Sequence, residues 1–195
     1  MTATDTIAPP QTTELLRTPD QILGPFYPVR RTPIETGDLT QSGRAAGTVL
    51  YLSGRVLTCA GKPVADARVE IWQANAHGRY DHPHDTNPAP LDPNFSGFAV
   101  TATGADGRYA FKTIRPVAYP AAPGRMRPAH IHFSVTAENE QLVTQMYFTG
   151  DEWNDRDTWL NSARRKDALI VSPEPVEGKE PGAQRVTFDI VLARG

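Results

Sequence analysis

The densest chemistry in this 195-residue chain lies in the run Arg127-Pro128-Ala129-His130-Ile131-His132-Phe133-Ser134-Val135. Side chains alternate along a strand, so Ile131, Phe133 and Val135 would share one face and His130, His132 and Ser134 the other. The two imidazoles would then be displaced by about 6.6 Å along the strand, twice the rise per residue, and could converge on one metal ion. The same pattern also describes two hydrogen-bonded histidines on the polar side of an ordinary strand, and the run alone leaves both readings open. Asp81, His82, His84 and Asp85 form a second, lesser metal candidate in a loop whose prolines make side-chain directions hard to read. No carboxylate accompanies His130 or His132 in a zinc-hydrolase pattern. A Gly-rich phosphate loop and a Gly-x-Ser-x-Gly elbow are also missing from the sequence.

Aiming two side chains at one point is work for a strand, and the surrounding sequence is rich in strand character. Segments 48–57, 67–72, 98–103, 108–114, 129–136, 142–149 and 185–192 recur between turn signals, the spacing of a sandwich and not of alternating β-α units. Segments 48–57 and 67–72 are expected to pair, and 98–103 with 108–114 to form a hairpin around Gly104-Ala105-Asp106-Gly107. In the last strand Val186, Phe188, Ile190 and Leu192 share one face. Only 155–167 reads as helix, with Asp155 as N-cap and Arg164, Arg165 and Lys166 near its C-terminal end. Gly24-Pro25-Phe26-Tyr27-Pro28 is a rigid extended piece, 36–48 a polar loop, both expected at the surface, and 81–96 a long proline-rich loop. The fold expected is mostly β, an antiparallel β-sandwich with long loops and a short helix. It fills a single domain over 23–195 behind a polar N-terminal arm over 1–22.

Composition narrows the function classes. With 39% hydrophobic and 22% charged residues the chain can build one globular core, and its 15 glycines and 18 prolines favour turns over long helices. Lys+Arg 20 against Asp+Glu 22 leaves a net charge of -2, so no bulk attraction draws it to nucleic acid or anionic membranes. The single cysteine, Cys59, excludes an intramolecular disulfide framework and a cysteine-built zinc site, and it suits a reducing compartment. Without a basic-then-apolar leader or a run of some twenty apolar residues, the expectation is a cytoplasmic protein with neither a membrane nor a nucleic-acid partner.

The wider pattern is more specific. Leu23-Gly24-Pro25-Phe26-Tyr27, Val69-Glu70-Ile71-Trp72-Gln73-Ala74-Asn75, Gly78-Arg79-Tyr80 and Asp92-Pro93-Asn94-Phe95-Ser96-Gly97 are followed by Asp106-Gly107-Arg108-Tyr109 and Ala118-Tyr119-Pro120. After the histidine run come Leu142-Val143-Thr144-Gln145-Met146-Tyr147-Phe148 and Phe188-Asp189-Ile190-Val191-Leu192. Together these resemble the intradiol ring-cleavage dioxygenases, with the length nearer a protocatechuate 3,4-dioxygenase subunit than the catechol or hydroxyquinol enzymes. The resemblance implies a mononuclear non-haem iron(III) held by Tyr80, Tyr119, His130 and His132. Two phenolates are hard anionic donors that stabilise iron(III), and a phenol with a pKa near about 10 ionises beside such a cation.

By the same resemblance, a catechol-type ring is opened by O2 between its two hydroxyl-bearing carbons to give a cis,cis-muconate-type diacid. Tyr119 would help accept a substrate proton, Arg127 would stabilise charge developing on the ring, and Gln145 would contact either Arg127 or the hydroxide side of the iron. Gly24 and Pro25 would lie along a substrate pocket, this chain's own or a neighbour's, and Trp72 would serve as pocket wall or, in preference, as core packing. The chain departs from the protocatechuate pattern at Ala121, where tryptophan usually follows Tyr-Pro, and at Asp81, where a basic residue is common after Tyr80. Both point to a differently substituted catechol. The full ligand set in one chain implies a homo-oligomer, with a related subunit as the other possibility. The competing reading is a non-catalytic metal- or ligand-binding β-sandwich module.

Overall fold

A computed structural model describes residues 14–29 and 36–194. The period-two apolar pattern builds its strands: β1 (Val49–Thr58), β2 (Arg68–Trp72), β3 (Phe98–Ala102), β4 (Arg108–Ile114), β5 (Tyr119–Ala122), β6 (Arg125–Arg127), β7 (His130–Thr136) and β8 (Gln141–Phe148). After the helix α1 (Thr158–Ser162) come the short β9 (Ile170–Val171), β10 (Glu174–Pro175), β11 (Gln184–Thr187) and β12 (Ile190–Leu192). One sheet has the order β3-β2-β7-β8-β9, the other β10-β11-β1-β12 with β4 also on β1, and β5 and β6 form a separate ribbon. Between the two sheets Val69, Ile71, Ile131, Phe133 and Val135 meet Leu50, Leu52, Val56, Phe111 and Ile190 in one core. The mostly β sandwich expected from the sequence is present.

Its pairings differ from the local reading in instructive ways. β1 and β2 do not pair, because the chain crosses between sheets after β1 and β2 joins β3 and β7 instead. The turn at 104–107 closes as expected, with the Gly107 N–H donating to Gly104 O at 2.9 Å. Its flanking strands nonetheless separate, β3 to β2 and β4 to β1. A tight turn specifies a reversal, whereas the partner is chosen by which sheet can bury each strand's apolar face. β7 and β8 do form the expected hairpin. Most ladders are antiparallel, but β11 and β12 run parallel to β1, and β9 runs parallel to β8.

The C-terminal strand is broken in two. Phe188 and Asp189 step out of the ladder, the Phe188 carbonyl accepts from the Tyr109 hydroxyl, and Asp189 Oδ1 accepts from the Arg55 N–H at 2.8 Å. A Cβ at position 54 would collide with the Phe188 carbonyl, so Gly54 admits the break. Val186, Phe188, Ile190 and Leu192 all still face the core. The helix is shorter than 155–167 and begins later. Asp157 and not Asp155 is its N-cap, accepting from the Leu160 N–H at 2.7 Å. Asn154–Arg156 and Lys166–Leu169 are 3-10 turns, which leaves Arg164 and Arg165 beyond the helix end.

Loop 36–48 is irregular but not all surface, since Leu39 is fully buried and bonds to Lys112 O and Ser96 N. Residues 1–13 of the expected arm lie outside the described residues. Residues 14–22 lie against the body, with Leu15 N–H on Cys59 O, Thr18 N–H on Val191 O and Gln21 N–H on Val143 O, each within 2.9 Å. No helix among the described residues is long and apolar enough to cross a membrane.

Candidate active site

The outward face of β7 carries His130 and His132, and the pleat brings their Nε2 atoms to 3.1 Å. His130 Nδ1 lies 2.7 Å from Pro128 O, which can only accept, so Nδ1 bears the proton and Nε2 presents a bare lone pair. Tyr80 brings its hydroxyl to 3.5 Å from that same Nε2. The Tyr80 and Tyr119 rings meet edge to face at 5.5 Å. Gly78 makes this approach possible, because it has φ +78 and a Cβ there would lie 2.9 Å from Tyr119 Cβ. Asp85 Oδ2 accepts from the Tyr80 N–H at 2.7 Å and anchors the loop that presents the phenol.

All four side chains are buried, and burial sets their charge states. It pushes both imidazoles well below their ordinary pKa, with the Arg127 charge adding to the effect, so both are neutral donors. Burial pushes both phenols above their ordinary value, so neither would ionise unless a cation stood beside them. Two neutral imidazoles with converging Nε2 atoms and two phenols form a donor set that fits a hard, highly charged metal ion.

Arg127 is fastened from several sides. In the β5–β6 ribbon it lies directly opposite Tyr119. Its Nε donates to Asp157 Oδ2 at 2.6 Å and its Nη2 to Gln145 Oε1 at 2.7 Å and Tyr147 Oη at 3.1 Å. Trp159 packs 4.6 Å from the guanidinium carbon. Gln145 Nε2 in turn donates to Ile22 O at 2.8 Å, and Tyr147 Oη to Gln21 Oε1 at 3.1 Å, so the N-terminal segment closes the network. Burial opposes the Arg127 charge, but Tyr147, Tyr119 and Asp157 outweigh it and raise the pKa, so the guanidinium stays cationic.

A family model described as "Dioxygenase" matches residues 22–194. The chain is 50% identical over 163 residues to the protocatechuate 3,4-dioxygenase beta chain of Burkholderia cepacia, a match covering 80% of this chain and 69% of that one. The chain belongs to the intradiol ring-cleavage dioxygenases. It is also 38% identical over 196 residues to hydroxyquinol 1,2-dioxygenase of Nocardioides simplex, covering 88% of this chain but only 63% of that longer relative. The fold superimposes on the dioxygenase domain of a dioxygenase carbohydrate-binding protein fusion from Streptomyces sp. SirexAA-E. That match has a TM-score of 0.73 and 29% identity, and covers 92% of this chain and 99% of that domain. Catechol 1,2-dioxygenase from Acinetobacter sp. ADP1 matches with a TM-score of 0.73 and 29% identity, covering 90% of this chain and 62% of that one.

The residues expected along the dioxygenase's substrate pocket separate into two groups. Trp72 stacks on the His132 ring at 4.8 Å and also lines a cleft of about 570 Å³ together with Tyr80, Phe26, Val29, Leu91 and Phe98. Gly24 has φ +76 and a Cβ there would lie 3.0 Å from His132 Cε1, so it seats the N-terminal segment directly on a candidate ligand. Pro25 is exposed, and the segment reaches the cleft through Phe26, Pro28 and Val29 instead. His82 Nδ1 accepts from the His84 N–H at 3.1 Å, while the Asp85 carboxylate is taken by the Tyr80 and Asn87 N–H groups. Among the described residues no three His, Cys, Asp or Glu side chains gather to hold a metal, and the 81–96 loop serves Tyr80 through Asp85 instead.

Sequence reasoning did not single out Asp157, Tyr147 or Trp159. Asp157 carried a readable signal, an acceptor just before a short helical run, but Asp155 offered the same signal two residues earlier. Tyr147 was quoted within a motif, yet its tie to Arg127 exists only because β6 ends over β8.

Proposed function

We propose that the chain binds a mononuclear non-haem iron(III) through Tyr80, Tyr119, His130 and His132. With O2 it cleaves a substituted catechol between the two hydroxyl-bearing carbons to a cis,cis-muconate-type diacid. The observation that carries this reading is the convergence of two imidazole Nε2 atoms at 3.1 Å with two phenol rings in edge-to-face contact, opposite a buried arginine. Iron(III), when bound, supplies the Lewis acidity that keeps the phenols ionised and activates the catecholate toward O2.

The chain's own groups do the rest. Tyr119 Oη takes a proton from a substrate hydroxyl, and its position opposite Arg127 places that transfer beside a fixed positive charge. The Arg127 guanidinium stabilises negative charge that develops on the ring, and its bonds to Gln145 and Tyr147 hold it in place beforehand. Burial of all four donors excludes bulk water from the reacting centre. Asp81 beside the cleft disfavours an anionic ring substituent, while Ala121 is exposed and does not line that cleft, so the substrate class is a substituted catechol without a negative charge at that position. Assembly as a homo-oligomer or with a related chain accords with the beta-chain relative, and a cytoplasmic location with the single free cysteine.

The test is the visible spectrum and iron content of the purified protein, before and after adding catechols without O2. The proposal expects one iron per chain and a tyrosinate-to-iron(III) charge-transfer band that shifts with substrate, both lost in Tyr80→Phe. A folded, colourless protein that takes up no iron(III) would favour the non-catalytic binding module.

A further inference from the structure

We infer that Asp157 is a positioning residue that sets the orientation of the Arg127 guanidinium in the active site. The inference rests on the role proposed above for Arg127. The two oxygens of the Asp157 carboxylate do different work. Oδ1 accepts from the Leu160 N–H at 2.7 Å and caps α1, while Oδ2 accepts from Arg127 Nε at 2.6 Å. One buried side chain thereby ties the helix to the arginine, with the ion pair only 4% and 1% exposed on its two sides.

A guanidinium is a planar fork, and its neutral partners here, Gln145 Oε1 and Tyr147 Oη, could be reached from more than one of its edges. The carboxylate on Nε removes that freedom, because a charged acceptor at the stem side of the fork selects one edge for Gln145 and Tyr147. The named bonds then leave Nη1 as the nitrogen free to face the ring. Trp159, on the helix that Asp157 caps, lies 4.6 Å from the Arg127 guanidinium and 4.3 Å from that of Arg125, and walls the plane on one side. Helix α1 therefore acts on the chemistry through Arg127 without touching the substrate.

Asp157→Asn separates the two jobs. Its Oδ1 still caps α1, since asparagine is as good an N-cap as aspartate, but its NH2 group meets Arg127 Nε donor to donor. The iron-loaded variant is expected to lose about 10- to 100-fold in kcat, the range for removing an outer-shell partner, with iron content unchanged and KM shifted less than about threefold. On an Arg127→Gln background the same change should cost nothing further, because Asp157 acts through Arg127. A crystal structure of Asp157→Asn should show the Nη2 to Gln145 Oε1 hydrogen bond broken. Unchanged kcat per bound iron with the guanidinium in place would overturn the inference, as would an equal loss on the Arg127→Gln background. Full activity of Arg127→Gln itself would instead defeat the proposed role of Arg127, and the crystal structure would then decide whether Asp157 orients it. Asp157→Ser, which keeps the cap and removes the charge, serves the same comparison if the asparagine variant does not fold.

Discussion

Replacing Gly78 with alanine should damage the proposed iron site more than the fold, by an amount that follows from two separate costs. Gly78 sits at φ +78, where an L side chain costs about 1–2 kcal/mol. The new Cβ would also lie 2.9 Å from Tyr119 Cβ, whereas carbon atoms settle at about 3.5–4.0 Å. Tyr119 or the Gly78 turn must therefore yield by roughly 0.6–1.1 Å, and a displacement of about 1 Å at a reacting group is worth roughly 100-fold in rate. Gly178 is the control, because it has φ +70 with nothing within 4 Å of its would-be Cβ and thus meets the strain alone. Urea unfolding should place Gly178→Ala about 1–2 kcal/mol below the parent, and Gly78→Ala at least as far below because it also carries the contact with Tyr119. Only Gly78→Ala should show a weakened or shifted tyrosinate charge-transfer band and a kcat lower by about two orders of magnitude. A parental spectrum and kcat in Gly78→Ala would refute the reasoning, since Tyr119 would then either not be crowded by position 78 or not be a working part of the site.

Three further outcomes are expected. Asp85→Ala releases the Tyr80 and Asn87 N–H groups and should weaken iron retention about 10- to 100-fold in a competition titration with a chelator, with little change in the far-ultraviolet spectrum. If iron binds as proposed, stripping it should lower Tm reversibly. Re-addition should restore it with a stabilisation that grows with the logarithm of free iron, about 2.7 kcal/mol at 100 times Kd. Glu140 is opposed by its partial burial, but the Arg194 N–H and Arg17 hold its carboxyl below the ordinary value. Its contribution, about 1 kcal/mol, is therefore full at neutral pH and fades as pH falls through its depressed pKa. The stability gap between the parent and Glu140→Gln, read from urea curves at pH 7 and pH 3, should close at the lower pH.

Much of the chain's chemistry was legible locally. The alternation in His130-Ile131-His132-Phe133 put the imidazoles on one face because a strand's period is a property of the backbone alone. Tyr80 and Tyr119 could be picked out only through the motifs around them, since nothing in a lone tyrosine distinguishes a ligand from a packed ring. The strand segments were likewise visible as hydrophobic periods, while their partners were not. Turn 104–107 reads the same whether its strands pair or part, and they part because each sheet buries one of them.

The sequence by itself determined the strand-rich class and the paired histidines, and through resemblance it nominated the four proposed donors, because these depend on residue type and spacing along the chain. Tertiary structure alone decided that Gly78 lets the two phenols meet and that residues 14–22 close over Gln145 and Tyr147. It also decided that Asp157, not Asp155, starts the helix. Either aspartate can cap a helix, but only one of them has a buried guanidinium waiting for its second oxygen, and that guanidinium comes from a strand thirty residues away.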